Sequence, residues 1–423
     1  MFSFKCFVNN FVMKKFYVKF MSIFLIAIFS FGVFSGCARQ GVSHQITHYP
    51  TKLVYQVGET PNFDGLKVET INNDGTHTML RFSKEDISAV DTSTPGTKKV
   101  EVTKGDMSVA FNIYVANVVV NDSDDVKSIF ESLNDGDIVY LREGEYSPQN
   151  ASDTRYKDII INKSITLVGD GINKTKFFGN FIVGANFDGS VFTKIDNFED
   201  VKFLNIGFKL DYEIKNKIVT YSGPYGSTNS NGAIRCFDTK KMLISGCSFD
   251  GYGYGILADN VSGYTITNSM FKNIFHNAIM ITTDISNSSI NKNIFIDVAK
   301  NVVAFENNTQ SWLGAIYLNF ATEGERGVII SKNNFNRIGI HNAEIVFFDD
   351  ASKQKASNTT NNLFRGSYIN NSAAIILLSS SEDDLEISGI ILSNNNYSGT
   401  FESIYMGAKS ANTINQSGVF IVE

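Results

Sequence analysis

Few side chains in this 423-residue chain are of a type and spacing suited to chemistry on a long, chain-like ligand. Arg235 and Tyr317 each follow an Ala-Ile pair, in Ala233-Ile234-Arg235 and Ala315-Ile316-Tyr317, and Glu344 precedes Ile345 in a variant of the same phrase. One Arg, one Tyr and one Glu among aliphatic residues can hydrogen-bond a polar ligand, or supply a base with a positive charge beside it. Tyr221 and Tyr225 stand in an insertion where they can line a wall. Asp349-Asp350 and Asp383-Asp384 are adjacent carboxylates, but neighbours on a strand point to opposite faces, so a pair in sequence is not a pair in space and both read as solvated turns. His276 and His341 each open a His-Asn-Ala phrase, a spacing that holds a substrate or, the preferred reading, forms a turn ladder. Cys236 and Cys247 read as buried apolar fillers.

These residues are positioned by a repeat. An apolar residue, two spacers, Asn or a small substitute, one spacer and an aromatic recur as Ile244 to Phe249 with Cys247 in the Asn slot, Ile266 to Phe271 with Ser269, and Ile290 to Phe295 with Asn293. Ile330 to Phe335 with Asn333, Thr359 to Phe364 with Asn362, and Leu392 to Tyr397 with Asn395 complete six phrases. Successive aromatics lie 22 residues apart (249 to 271), then 24 (271 to 295), then 40, 29 and 33, so a unit near 22 carries insertions. Between the aromatics, Ala or Gly precedes an apolar residue at Ile234, Ile256, Ile279, Ile316 and Ile375, with Glu344-Ile345 as the variant. Short period-two runs divided by Asn, Gly, Ser and Asp predict three strands per unit, wound into a stacked coil. Coils stack at roughly 4.8 Å, which puts like residues above one another and His276 and His341, two coils apart, at roughly 10 Å. The Asn slot is expected at a turn, where an amide bonds backbone above and below and left-handed backbone is tolerated. Alternation turns Ile234, Ile256, Ile279, Ile316 and Ile345 inward and Arg235, Leu257, Met280, Tyr317 and Val346 outward.

With these phrases, residues 117–423 resemble a right-handed parallel β-helix of the pectin-lyase-like superfamily. That resemblance implies a ligand groove along the Ala/Gly-Ile strands, walled by loops. Upstream, Asp122-Ser123-Asp124-Asp125 precedes Val126, Ile129, Phe130 and Leu133, a short amphipathic helix fit to cap the exposed end of the stack. Gly136-Asp137, Gly144 and Gly169-Asp170-Gly171 follow in the order seen in the first coils of pectin methylesterases and pectate lyases. Gly169-x-Gly171 reads as a turn and not a phosphate loop, since no helix follows it. The signature catalytic motifs of pectin methylesterases, polygalacturonases and pectate lyases do not occur, so the resemblance carries architecture and no catalytic residue.

Residues 46–116 show short strands punctuated by Gly58-Glu59, Asn73-Asp74-Gly75 and Asp91-Thr92-Ser93-Thr94-Pro95-Gly96. Strands every 8 to 12 residues with a hairpin signal predict a small sandwich. The segment is similar to the group 3 bacterial Ig-like domains, modules that mostly act as spacers. Ahead of a short linker, 38–45, residues 1–37 carry Lys14, Lys15 and Lys19, an apolar run from Phe20 to Phe34, and Ser35-Gly36 before Cys37. This resembles a bacterial lipoprotein signal with Phe34 where Leu is commoner, and implies acylation of Cys37 and a membrane tether. An uncleaved anchor is the rival, but a run of about 15 residues is short for a span.

The formal charge of -6 and the absence of a basic cluster after the leader argue against nucleic-acid binding. No cofactor or metal is implied. The expected architecture is therefore all-β, an Ig-like sandwich and then a capped parallel β-helix, exported to the cell envelope with the outer membrane or cell surface as its site. Its expected activity is binding of a polysaccharide or glycan through Arg235, Tyr317, Glu344, His341 and Asp349, without cleavage. A divergent lyase or glycoside hydrolase in the same groove, and a purely structural surface protein or adhesin, are the alternatives.

Overall fold

The computed structural model describes residues 42–215, 218–225, 232–298, 314–320, 324–336, 373–379, 387–393, 395–398, 403–407 and 419–422. It divides into two compact units, one of residues 1–51, 62–89 and 100–111 and the other of 52–61, 90–99 and 112–423. Strands Ser43–His48, Lys67–Ile71 and His77–Leu80 form an antiparallel three-stranded sheet, and Val54–Gln56, Met107–Ala116 and Gly96–Lys104 form a second three-stranded sheet in which Val54–Gln56 runs parallel to Met107–Ala116. Asn73-Asp74-Gly75 makes the hairpin turn, with Gly75 at φ +79°, where a residue with a side chain is strained.

Beyond residue 117 every strand pair of the three long sheets is parallel. A groove sheet runs through Ile159–Ile161, Phe181–Val183, Gly232–Cys236, Tyr254–Ser262, Ile279–Ser286, Ile316–Phe320, Ala373–Ser379 and Ser403–Gly407. A second sheet includes Thr166–Gly169, Lys202–Leu204, Leu243–Ser245, Thr265–Thr267, Ser289–Asn291 and Gly324–Ser331, and a third includes Gly207–Lys209, Ser248–Asp250, Met270–Lys272, Ile294–Ile296 and Asn334–Asn336. The chain visits groove, second and third sheet in turn and then returns to the groove, one rung on. Parallel pairing with a right-handed crossover gives the right-handed β-helix. The helix Val126–Glu131 caps it: Asp125 accepts the Ser128 N–H at its N-terminus, and Phe130 packs 5.4 Å from the Phe181 ring. Gly169-x-Gly171 is a turn, in which Asp170 accepts the Tyr140 hydroxyl at 2.7 Å.

Each sequence phrase spans two strands and the corner between them. Its apolar residue centres a strand of the second sheet, where Ile244, Ile266, Ile290, Ile330 and Leu392 stack in register. Its aromatic centres a strand of the third sheet, where the rings of Phe208, Phe249, Phe271, Phe295 and Phe335 stack face to face at 4.7–5.1 Å, tilted by less than 10°. Offset ring stacking of this kind adds about 1 kcal/mol per pair beyond burial. The slot between is a hydrogen-bonded ladder: the Cys247 N–H donates to Ser269 Oγ, the Ser269 N–H to Asn293 Oδ1, and the Asn293 N–H to Asn333 Oδ1.

One expectation is corrected. The left-handed residue is the one before the slot, at Gly246, Asn268, Lys292 and Lys332 with φ between 51° and 65°, and it swings the slot side chain into the core. The ladders also pass directly from Phe335 to Tyr397 and from Ile316 to Ile375. The phrase at Thr359 to Phe364 and the Glu344-Ile345 variant lie outside the described residues.

On the outward side of the second sheet, Tyr140, Val168 and Leu204 occupy one column and pack with Val54 and Ala116 of the same unit. In later rungs that column changes to Ser245, Thr267, Asn291 and Ser331. Apolar residues face the covered rungs and hydroxyls and amides the uncovered ones, as burial energetics require.

Candidate functional site

The floor of the groove sheet alternates as its sequence predicts. Phe181, Ile234, Ile256, Ile279 and Ile316 form the buried inward column. Ile182, Arg235, Leu257, Met280 and Tyr317 form the outward one. Arg235 is exposed, its guanidinium lying 4.7 Å over the ring of Phe237. Tyr317 is only 6% exposed, and burial, with Tyr254 beside it, pushes its hydroxyl pKa upward. Three rungs separate Arg235 from Tyr317, roughly 14 Å at the interstrand rise, so the two do not act on one bond. Toward the C-terminal ends of the strands the floor becomes polar, where Thr282 Oγ1 donates to Asp259 Oδ1 at 2.9 Å and Asn319 Nδ2 to the Thr282 carbonyl.

Two antiparallel hairpins flank the early rungs of this floor. One, Ala185–Phe187 with Phe192–Lys194, leaves the C-terminal end of strand Phe181–Val183. Its cross-strand pair Phe187 and Phe192 has ring centroids 4.7 Å apart, and Phe192 stacks at 6.1 Å on Phe237. Phe187, Phe192, Phe237 and the Arg235 guanidinium are thus one continuous stack, with Phe187 at 48% exposure. The other hairpin, Tyr212–Lys215 with Ile218–Tyr221, precedes the N-terminal end of strand Gly232–Cys236. Tyr212 meets Phe275 edge-on at 4.7 Å. Tyr221 and Tyr225 do not line a wall: they are 4% and 5% exposed, and the Tyr225 hydroxyl donates to the Phe178 carbonyl at 2.7 Å. An aromatic in an insertion packs inward when the core beside it has room for a ring.

His276 sits at the N-terminal flank, its ring 4.5 Å from Tyr254 and its Nδ1 hydrogen-bonded to Asn277 Oδ1, while Asn277 Nδ2 donates to the Gly314 carbonyl at 3.1 Å. Burial holds its pKa down to about 4, so the imidazole is neutral at pH 7, and pushes the Tyr254 hydroxyl up to about 12. His341, Glu344, Asp349, Asp350, Asp383, Asp384 and Cys37 lie outside the described residues. Cys236 and Cys247 are free, fully buried thiols whose pKa values burial raises to about 12. Among the described residues no three His, Cys, Asp or Glu side chains are placed to hold a metal ion, and no helix is long and apolar enough to cross a membrane.

Sequence reasoning found Arg235 and missed the rings that orient it. Asp188-Gly189 between Phe187 and Phe192 is a hairpin signal that would have located the pair, whereas the contact with Phe237 spans 45 residues (192 to 237) and has no local trace.

The chain thus comprises an Ig-like segment followed by a right-handed parallel β-helix. Residues 48–115 match the family described as bacterial Ig-like domain (group 3). No curated protein matches the chain in sequence. Solved structures similar to it include the Family 28 exopolygalacturonase of Yersinia enterocolitica, at 9% identity and TM-score 0.35, over 78% of this chain and 75% of that one. The catalytic domain of a GH87 alpha-1,3-glucanase follows at 14% identity and TM-score 0.33, over 90% and 71%. A PL6 family alginate lyase matches at 12% identity and TM-score 0.30 over 72% of this chain; the chain spans only 39% of that lyase. These neighbours are named for enzymes acting on polysaccharides.

Proposed function

We propose that the outward face of the groove sheet binds a polysaccharide, laid between the two hairpins, and releases it uncleaved. One observation carries this reading: aromatic rings and a guanidinium stand on that face, at Phe187, Phe192, Tyr212 and Arg235, instead of being buried in the core. Sugar rings are bound by such surfaces, apolar and aromatic with a few oriented polar groups. In the same reading the Ig-like segment is a spacer and acylated Cys37 tethers the chain to the cell envelope.

The test is affinity electrophoresis of the full chain in mild detergent through gels containing uronate-rich or neutral polysaccharides, with ultraviolet absorbance followed for unsaturated products. Retention without product supports binding. Unsaturated product that disappears in Arg235→Ala replaces it with a lyase. Neither retention nor product leaves a structural surface protein. For the tether, metabolic labelling with a palmitate analogue is expected to mark the wild type and not Cys37→Ala.

A further inference from the structure

The geometry points to an anion-selective sugar subsite, built by the 185–194 hairpin together with Phe237 and Arg235, that recognises a carboxylated or sulfated sugar residue. This deepens the polysaccharide-binding reading and rests on it. Arg155 and Arg326 hold carboxylates at 2.9 and 2.7 Å, but among the described residues Arg235 holds none. It is nonetheless anchored, because its guanidinium carbon stands over the Phe237 ring, 4.7 Å from the centroid. Stacking occupies the face of a guanidinium and leaves its N–H edge unspent, the edge that takes a carboxylate or sulfate through two parallel hydrogen bonds. Its neighbours along the outward column, Ile182 and Leu257, carry no charge to compete for it.

The aromatic half of the subsite is equally fixed. Phe187 and Phe192 are a direct cross-strand pair, and the hairpin base is closed by the Ile195 N–H on the Gly184 carbonyl at 2.8 Å. Lys194 and Asp238 pair at 3.2 Å beside it, and the Asp188 carboxylate in the hairpin turn is taken up by the Ser190 and Val191 N–H groups. Phe187, 48% exposed, leaves a ring face open to a ligand. The apolar face of a pyranose fits Phe187 while the anionic substituent of a neighbouring residue reaches Arg235. Because ring and cation are held before the ligand arrives, little ordering cost remains at binding.

The experiment measures retention of the full chain on polygalacturonate, alginate and dextran sulfate, and on methyl-esterified polygalacturonate, dextran and xyloglucan. Wild type is expected to bind at least one anionic polymer at least tenfold more tightly than any neutral one, and to lose that preference as salt rises. Arg235→Gln is expected to remove the preference, Arg235→Lys to restore only part of it, and Phe187→Ala to weaken binding with the preference intact. Melting temperatures of these surface variants, expected to stay at the wild-type value, separate lost contact from lost fold. Equal binding to anionic and neutral polymers, or an Arg235→Gln variant that keeps the preference, overturns the anion subsite while polysaccharide binding stands. Failure of the wild type to bind any polymer overturns both.

Discussion

Asn333 Oδ1 accepts the backbone N–H of Asn293 at 2.9 Å, and its Nδ2 donates to the Ile290 carbonyl at 2.9 Å, so one buried amide ties its rung to the preceding one. The side chain is 1% exposed, which leaves water no route to replace either bond. Asn333→Ala orphans a buried donor and a buried acceptor and is expected to cost about 3 kcal/mol in chemical denaturation. Asn333→Ser is expected to cost less, since Ser269 performs the acceptor half of this task for Cys247, its Oγ accepting the Cys247 N–H at 3.2 Å. Equal losses would show that the cavity, not the unpaired polar groups, sets the cost.

Lys292 is exposed and holds φ at 55°, in the corner column where Gly246 stands in another rung. A left-handed residue with a Cβ costs about 1 kcal/mol relative to glycine. Lys292→Gly is expected to raise stability in urea titration by less than that amount, because the greater entropy of a glycine in the unfolded chain offsets part of the gain.

Two tyrosines in the same insertion differ in one bond. Among the described residues the buried Tyr221 hydroxyl has no hydrogen-bond partner, whereas that of Tyr225 donates to the Phe178 carbonyl. Tyr221→Phe is expected to stabilise the protein by about 1 kcal/mol and Tyr225→Phe to destabilise it by a similar amount. Thermal melts of the pair check the sign.

Burial holds the folded-state pKa of His276 at about 4, below the unfolded value of 6.5. The unfolded chain therefore binds the extra proton first as pH falls. Stability is full above about pH 6.5, declines as pH drops toward 4, and loses about 3 kcal/mol from this residue across that window. His276→Gln is expected to flatten this slope in urea midpoints measured between pH 7 and 4; an unchanged slope would assign it to other groups.

Much of the coil was legible before any coordinates. The inward Ile column, the Phe column and the Asn slot each repeat because like positions stack, and an inward position sees the same chemistry on every rung. The capping helix was legible too, since Val126 and Phe130 share its buried face behind an Asp125 cap. The direct pairing of Phe335 with Tyr397 and of Ile316 with Ile375 was not legible, because composition marks a strand or turn without saying which strand it joins.

Alternation along single strands thus fixed from sequence which side chains face the core and which face the groove, because successive residues on a strand must point to opposite sides. Tertiary structure decided which rungs are neighbours, since an insertion of almost any length can return the chain to the same stack at slowly rising entropic cost. It also decided that Tyr221 and Tyr225 are buried and that Phe187 and Phe192 lead to Arg235. Those contacts join residues far apart in the chain, and only the packing of hairpins against the coil brings them within reach.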